Sequence, residues 1–292
     1  MDDVIHAIQK HRKKLTESQR NLAEYVASNT ERAAFLTASE LANQTGVSES
    51  SVIRFARAIG YDGYPHLQNA LQNMLRRQLT TVDRLQSSTE DLKEDSDIIE
   101  KVMLSDVDNI RNTLTGLDRE MFKKIVDALL EAERIHVIGS RGASGPAYVL
   151  GFGLNWVLRN VNTPIYGPAD ELDSMMSIDS GDLVMALSFP RYTRVTVDMF
   201  KIAAERGAVN VALTDGVMSP LLEHADYWLI ARSGQVSYAD SLCAPLSLIN
   251  ALLAAVGARN QEKTKTALAE MEQMWDEYSV YESSSHQNGG SD

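Results

Sequence analysis

From Arg134 onward the sequence repeats one pattern that few folds can satisfy. Five short apolar runs, "RIHVIG", "TPIYG", "DLVMALS", "AVNVALT" and "DYWLIA", are rich in β-branched residues, and most end in Gly, Ser or Thr. Helix-forming stretches at 143–159, 169–178, 195–206 and 219–224 lie between most of them, and two more, at 238–258 and 261–281, follow. A strand that is apolar at consecutive positions has no face to offer water, so it must be covered on both sides. Strands of that kind alternating with helices predict an α/β doubly wound parallel sheet with helices on both faces.

Upstream the pattern is different. Residues 1–79 read as helix only: "VIHAIQKHRKKL" and "TESQRNLAEYVASN" space their apolar residues three and four apart, and Thr16 with Gln19 has the form of a capping box. The polar, acidic stretch "QSSTEDLKEDSD" at 86–97 reads as a connector, and amphipathic helices are predicted at 98–114 and 119–131. The organisation expected is therefore an all-α head at 1–80, a linker at 81–97, an α/β body at 98–282 and an unfolded polar tail at 283–292. A chain of 292 residues is comfortable for two domains.

Charge divides along the same line. The head has 10 Lys and Arg against 8 Asp and Glu, whereas residues 81–292 have a net charge of −14. A faintly basic head on an acidic body is compatible with a head that meets a polyanion. The single cysteine, Cys243, allows no internal disulfide, so a reducing cytoplasm is expected. The longest apolar stretch, "LINALLAAVGA", falls short of the roughly 20 residues of a membrane span, and no membrane partner is expected. No pattern points to a metal or a cofactor.

The stretch "TASELANQTGVSESSVIRFARAIG" at 37–60 meets the demands of a helix-turn-helix. Ala42 is small where two helices cross, and Gly46 tolerates positive φ in the turn. Val52 and Phe55 supply the buried side of the second helix, flanked by Leu41 and Val47. Ser48 is a natural N-cap, with Ser51 three residues on. Burying Val52, Phe55 and Ile59 leaves Ser48, Glu49, Ser50, Ile53, Arg54 and Arg57 outward. Hydroxyls at a helix N-terminus suit phosphates, and an arginine further along reaches a base edge or the backbone. Ser48, Glu49, Ser50, Ser51, Arg54 and Arg57 are thus the candidate contacts to double-stranded operator DNA. An ordinary helical hairpin with solvated charges is the alternative.

The run "GVSESSVIRFARAIGYDGYPHL" resembles the N-terminal domain of the RpiR family of bacterial transcriptional regulators. Ser51 stands where the family's run has threonine, and Tyr61 and Tyr64 where it has phenylalanine. That family joins such a head to a sugar isomerase (SIS) domain, so the resemblance covers nearly the whole chain. It implies a regulator, a repressor, that is a homo-oligomer (dimer or tetramer) binding a palindromic or repeated operator.

In a doubly wound sheet, ligands sit beyond the carboxyl ends of the strands. The first such end, "VIGSRGASGPA", offers glycines that turn N–H groups towards a ligand, serine donors and a helix N-terminus. It is similar to the SIS loop Gly-x-Gly-x-Ser, with Arg141 where many such domains have glycine. The second, "SFPRYTR", resembles the loop Ser-x-Ser-Gly-x-Thr, which grips a sugar phosphate in many members. Ser188 and Thr193 are retained. Pro190 removes one N–H donor, and Arg191 supplies a guanidinium that can grip phosphate or carboxylate at two points. Ser140, Arg141, Ser144, Ser188, Arg191, Tyr192 and Thr193 are the candidate ligands for a small anionic metabolite. A plain turn, with Arg191 paired to Asp170 or Asp240, is the alternative.

A sugar-phosphate isomerase would need a base beside the substrate carbonyl. Only Glu171, Glu223 and His224 are candidates, none within a matching motif, so the body is expected to sense rather than catalyse. His136 and Cys243 read as core residues. Leu268, Met271, Trp275 and Tyr278 read as a packing stripe.

Overall fold

The computed structural model describes residues 4–78, 80–89, 95–163, 175–234 and 236–282. The head contains α1 (Val4–His11), α2 (Glu17–Ser28), α3 (Thr30–Phe35), α4 (Ala38–Thr45), α5 (Glu49–Ala58) and α6 (Tyr64–Gln78). Leu22, Val26, Leu41, Val52, Phe55, Leu67 and Leu71 meet in one core, each fully enclosed. The Thr16 N–H donates to the Gln19 side chain (3.0 Å), as a capping box requires. A second box, not read from the sequence, opens α4: Thr37 N–H donates to Glu40 (2.7 Å) and Glu40 N–H to Thr37 Oγ1 (3.2 Å). The Thr37 N–H and, second, the Thr37 hydroxyl (2.8 Å) both donate to the Glu40 carboxyl and hold it below its ordinary value. Gly46 ends α4 at φ 68°, the left-handed conformation that a residue without Cβ enters freely.

The tyrosines that replace phenylalanine are both buried. Tyr64 donates its hydroxyl to Leu36 O (2.6 Å), just past the end of α3, and Gln68 and Gln72 donate to Leu36 O (2.7 Å) and Ala34 O (2.9 Å). Three side chains of α6 thus satisfy carbonyls that the short α3 leaves without helical partners. Burial, followed by the nearby Glu40 charge, pushes the Tyr64 hydroxyl up to about 12.

Helix α7 (Thr81–Thr89) occupies the first half of the expected linker, which is a departure from its reading as a plain connector. Its start is fixed by Thr80, whose N–H donates to Asp83 (2.9 Å) while Asp83 N–H donates to Thr80 Oγ1 (3.2 Å). The body follows with α8 (Asp95–Thr115) and α9 (Arg119–Glu131), close to the predicted bounds.

The sheet is wholly parallel, and its strand order is β2 (Val161–Asn162), β1 (Arg134–Ile138), β3 (Asp182–Leu187), β4 (Val209–Thr214), β5 (Tyr227–Ile230). The strands divide their side chains by the two-residue alternation of a pleat. Ile135, Val137, Leu183, Met185, Leu187, Val211 and Leu213 face α9, α10 (Ser144–Asn155) and α12 (Cys243–Arg259). Ile138, Val184, Ala186 and Ala212 face α11 (Arg194–Glu205). Central β3 is buried at all six positions, as an uninterrupted apolar run requires.

Other expectations need adjustment. Of the second apolar run, 163–167, only Thr163 is described, and the second strand, Val161–Asn162, ends just before it; 164–174 and the tail 283–292 lie outside the described residues. The helix predicted from 238 begins at Cys243, and 219–224 forms one 3-10 turn, Pro220–His224. Cys243 is only half buried: its thiol donates to Asp106 Oδ2 of α8 (3.1 Å), and this bond more than burial raises its pKa. It links two helices rather than filling the core. On α13 (Gln261–Glu277), Trp275 meets Trp156 edge-on at 5.6 Å, but Tyr278, just beyond its end, is 72% exposed. The predicted packing stripe therefore packs only in part. No helix among the described residues is long and apolar enough to cross a membrane.

Candidate functional site

On the head, the outward residues of α5 gather hydroxyls at its N-terminus. Ser48 Oγ receives the Ser51 N–H (3.3 Å) and lies 2.9 Å from both Ser50 Oγ and Ser51 Oγ. Arg54 donates to Ser51 Oγ (3.1 Å), which draws its guanidinium towards that same end. Arg57 turns the other way and donates to Asp62 O (3.4 Å), in the loop after the helix. Glu49 is exposed beside the serines. The structure groups Ser48, Ser50, Ser51 and Arg54, whereas Arg57 sits apart. Short donors, one arginine and a positive helix end suit a DNA backbone and one base edge.

On the body, the carboxyl ends of β1 and β3 neighbour each other, pairing up to Ile138 with Ala186. Beyond β1, Gly139 is needed for close approach: a Cβ there would lie 2.8 Å from Ala143 O and 3.0 Å from Ala147 Cβ. Arg141 adopts φ 56°, a conformation glycine enters freely and a side chain enters at a cost. Ser144 donates to Arg141 O (2.6 Å), so its hydroxyl closes its own loop. Ser140 accepts from Thr196 Oγ1 (3.1 Å), which ties the first loop to α11. Thr196 is buried, and the sequence reading missed it because it lies past the loop, inside an ordinary helical pattern.

Beyond β3, Ser188 is buried, and its carbonyl receives the Thr214 hydroxyl (2.7 Å). Thr193 is the N-cap of α11 with no capping bond from its side chain. The first-turn N–H groups of such a helix lack intrahelical partners and carry partial positive charge. Tyr192 donates to Asp215 (2.7 Å), the residue that follows β4. Arg191 is exposed and donates to Thr81 Oγ1 (3.3 Å) at the start of α7. The first and second loops are thus brought together by Thr196, with two arginines at the rim.

Two carboxylates stand at this rim, of which Asp215 was missed and Asp240 was expected as a partner of Arg191. Asp215 appears in the sequence as a plain strand-to-turn aspartate, and only the sheet order puts it beside Tyr192. Asp240 is bonded to Arg84 of α7 (3.3 Å). Burial pushes its carboxyl up to about 6, against the pull of Arg84 and Arg191 and with the help of Asp215. Of the candidate bases, Glu171 lies outside the described residues. Glu223 and His224 belong to the turn that leads into β5, and His224 O accepts from Asn210 near the start of β4 (3.1 Å). They sit at the amino edge of the sheet, opposite the loops. His136 is buried on β1 as expected, and its Nε2 lies 3.8 Å from the Asp182 carboxylate.

Comparison with known proteins gives two family matches along the chain. Residues 3–78 match the family model for the helix-turn-helix domain of the rpiR family, and residues 128–255 match that for the SIS domain. An uncharacterized HTH-type transcriptional regulator of Caldanaerobacter subterraneus subsp. tengcongensis is 29% identical over 241 residues, 82% of this chain and 83% of that one. The sugar isomerase domain of an RpiR transcription factor from Sphaerobacter thermophilus is 29% identical with a TM-score of 0.58, over 59% of this chain and 97% of that one. The Vibrio vulnificus NanR protein complexed with ManNAc-6P is similar in fold, with a TM-score of 0.59 at 23% identity, over 94% of this chain and 98% of that one. The chain belongs to the RpiR family of transcriptional regulators, with an rpiR-type helix-turn-helix domain followed by a SIS domain.

Proposed function

We propose that this regulator binds a sugar phosphate at the joined β1 and β3 loops and changes its grip on operator DNA in response. The observation that carries this reading is the rim itself. Arg141 and Arg191 flank serine and threonine hydroxyls and the N-terminus of α11, within a part of the chain whose net charge is −14. A positive site in an acidic body focuses a small anion against the surrounding field. The sugar end has Tyr192 and Asp215 to meet its hydroxyls. The complex of NanR with ManNAc-6P supports a sugar phosphate as the class of effector. Among the described residues, the candidate bases Glu223 and His224 lie at the far edge of the sheet, which favours sensing over isomerisation. Reading chromosomal DNA puts the protein in the cytoplasm.

The acting form is a homodimer, and α8 supports this. Its side towards the body is polar: Asn109 exchanges hydrogen bonds with Gly234 (2.9 and 3.1 Å), and Thr113 accepts from Arg232 N–H (2.9 Å). Its apolar residues Ile99, Met103, Val107, Ile110 and Leu114 are instead exposed, spaced three or four apart. Such a seam is complementary to a second copy of itself.

Isothermal titration against a panel of sugar monophosphates, followed by fluorescence anisotropy with DNA selected by the protein, tests the proposal. One panel member should bind the parent and shift its DNA affinity, and Arg191→Ala should bind DNA normally without responding. A response retained by Arg191→Ala makes the loop a plain turn.

A further inference from the structure

Helix α7 touches the rim of the effector site at two points, and an arginine makes each contact. Arg191 of the loop donates to Thr81 Oγ1 (3.3 Å), and Arg84 of the helix donates to Asp240 (3.3 Å). Arg84 is 5% exposed although it carries a full charge. A buried guanidinium is tolerated only with a carboxylate and further acceptors around it, so Asp240 is held where Arg84 needs it. Asp240 also lies within the field of Arg191 and beside Asp215. A carboxylate so placed is a competitor for any anion that Arg191 would bind, since guanidinium grips carboxylate and phosphate in the same way.

We propose that Arg84 is a positioning residue of the effector site: by holding Asp240 it keeps Arg191 open to the anionic group of the effector. This rests on the effector reading above. Effector affinity then depends on α7 being docked against the body, and docking in turn is favoured by effector, because coupling between two equilibria is reciprocal. Helix α6 of the head ends at Gln78 and α7 begins at Thr81. With two residues between them, the position of α7 governs where the DNA-binding head leaves the body. The contacts at Thr81 and Asp240 thus join the effector loop to the element that carries the head.

Inorganic phosphate, titrated calorimetrically into the full chain at pH 7.5, isolates the anion from any sugar hydroxyls. Arg84→Gln should weaken phosphate binding about tenfold or more, the scale of one lost charge-assisted contact. Adding Asp240→Asn to that variant should restore affinity to near the parent, because an amide does not compete for Arg191. A merely structural role for Arg84 predicts a double variant no better than the single. Asp240→Asn alone should bind phosphate as well as the parent or better, and this holds the test open if Arg84→Gln fails to fold. Unchanged affinity in Arg84→Gln, no rescue in the double variant, or weaker binding by Asp240→Asn overturns the proposal. A parent that binds neither phosphate nor any sugar phosphate overturns the effector reading itself, and the inference with it.

Discussion

Arg141 is strained by its backbone and exposed by its position. A left-handed conformation costs a residue with a Cβ about 1 kcal/mol relative to glycine. Arg141→Gly should therefore raise the thermal midpoint by ~2–4 °C while weakening sugar-phosphate binding about tenfold, as the loss of one charged contact would. Calorimetry of both properties checks it, and a variant that is more stable yet equally sensitive would remove Arg141 from the site. The sequence put the charge where glycine is usual, but the positive φ that explains the usual glycine belongs to the folded loop. His136 makes a second case. Burial lowers its pKa from 6.5, so the fold holds it neutral while the unfolded chain protonates it. The stability this provides is present above that value and is lost as pH falls through it. Between pH 7 and 5 the melting midpoint of the parent should fall by more than that of His136→Val, and parallel curves would contradict this. Ser144 shows the limit at this scale: its type suits an anion, yet its hydroxyl is turned onto Arg141 O.

At the scale of elements, α5 was legible because capping, burial and turn signals all agree. Ser48, Gly46, Val52 and Phe55 each occupy the place that their chemistry suggests. What the spacing could not show is that Arg54 and Arg57 diverge. Arg54→Ala should weaken operator binding by about 1–3 kcal/mol, and Arg57→Ala by clearly less, since Arg57 is engaged with Asp62 O. Anisotropy with selected DNA measures both, and equal losses would count against the division. Helix α7 was hidden by composition. The residues around it are polar and acidic, and the start signal, Thr80 with Asp83, is short beside them.

For the molecule as a whole, the seam on α8 separates one copy from two. Val107→Glu sets a charge in the middle of that stripe, on the side of the helix away from the Asn109 and Thr113 contacts. Light scattering should show the parent as a dimer at micromolar concentration and the variant as a monomer. The variant should also lose most operator affinity, because paired heads read paired half-sites. A variant that remains dimeric would place the interface elsewhere.

The sequence by itself determined the parallel sheet, the helix-turn-helix and the two loops at its strand ends. Each rests on local periodicity, or on a turn whose residues meet a steric demand within a few positions. Tertiary structure alone decided which loops meet, since strand order puts β3 beside β1 and carries Asp215 to Tyr192. It also decided the partners of Arg84 and Arg191, which are 156 and 110 residues away along the chain. Charge has no periodicity from which such a pairing could be read. Only the packing of α7 against the body brings these groups within reach of one another.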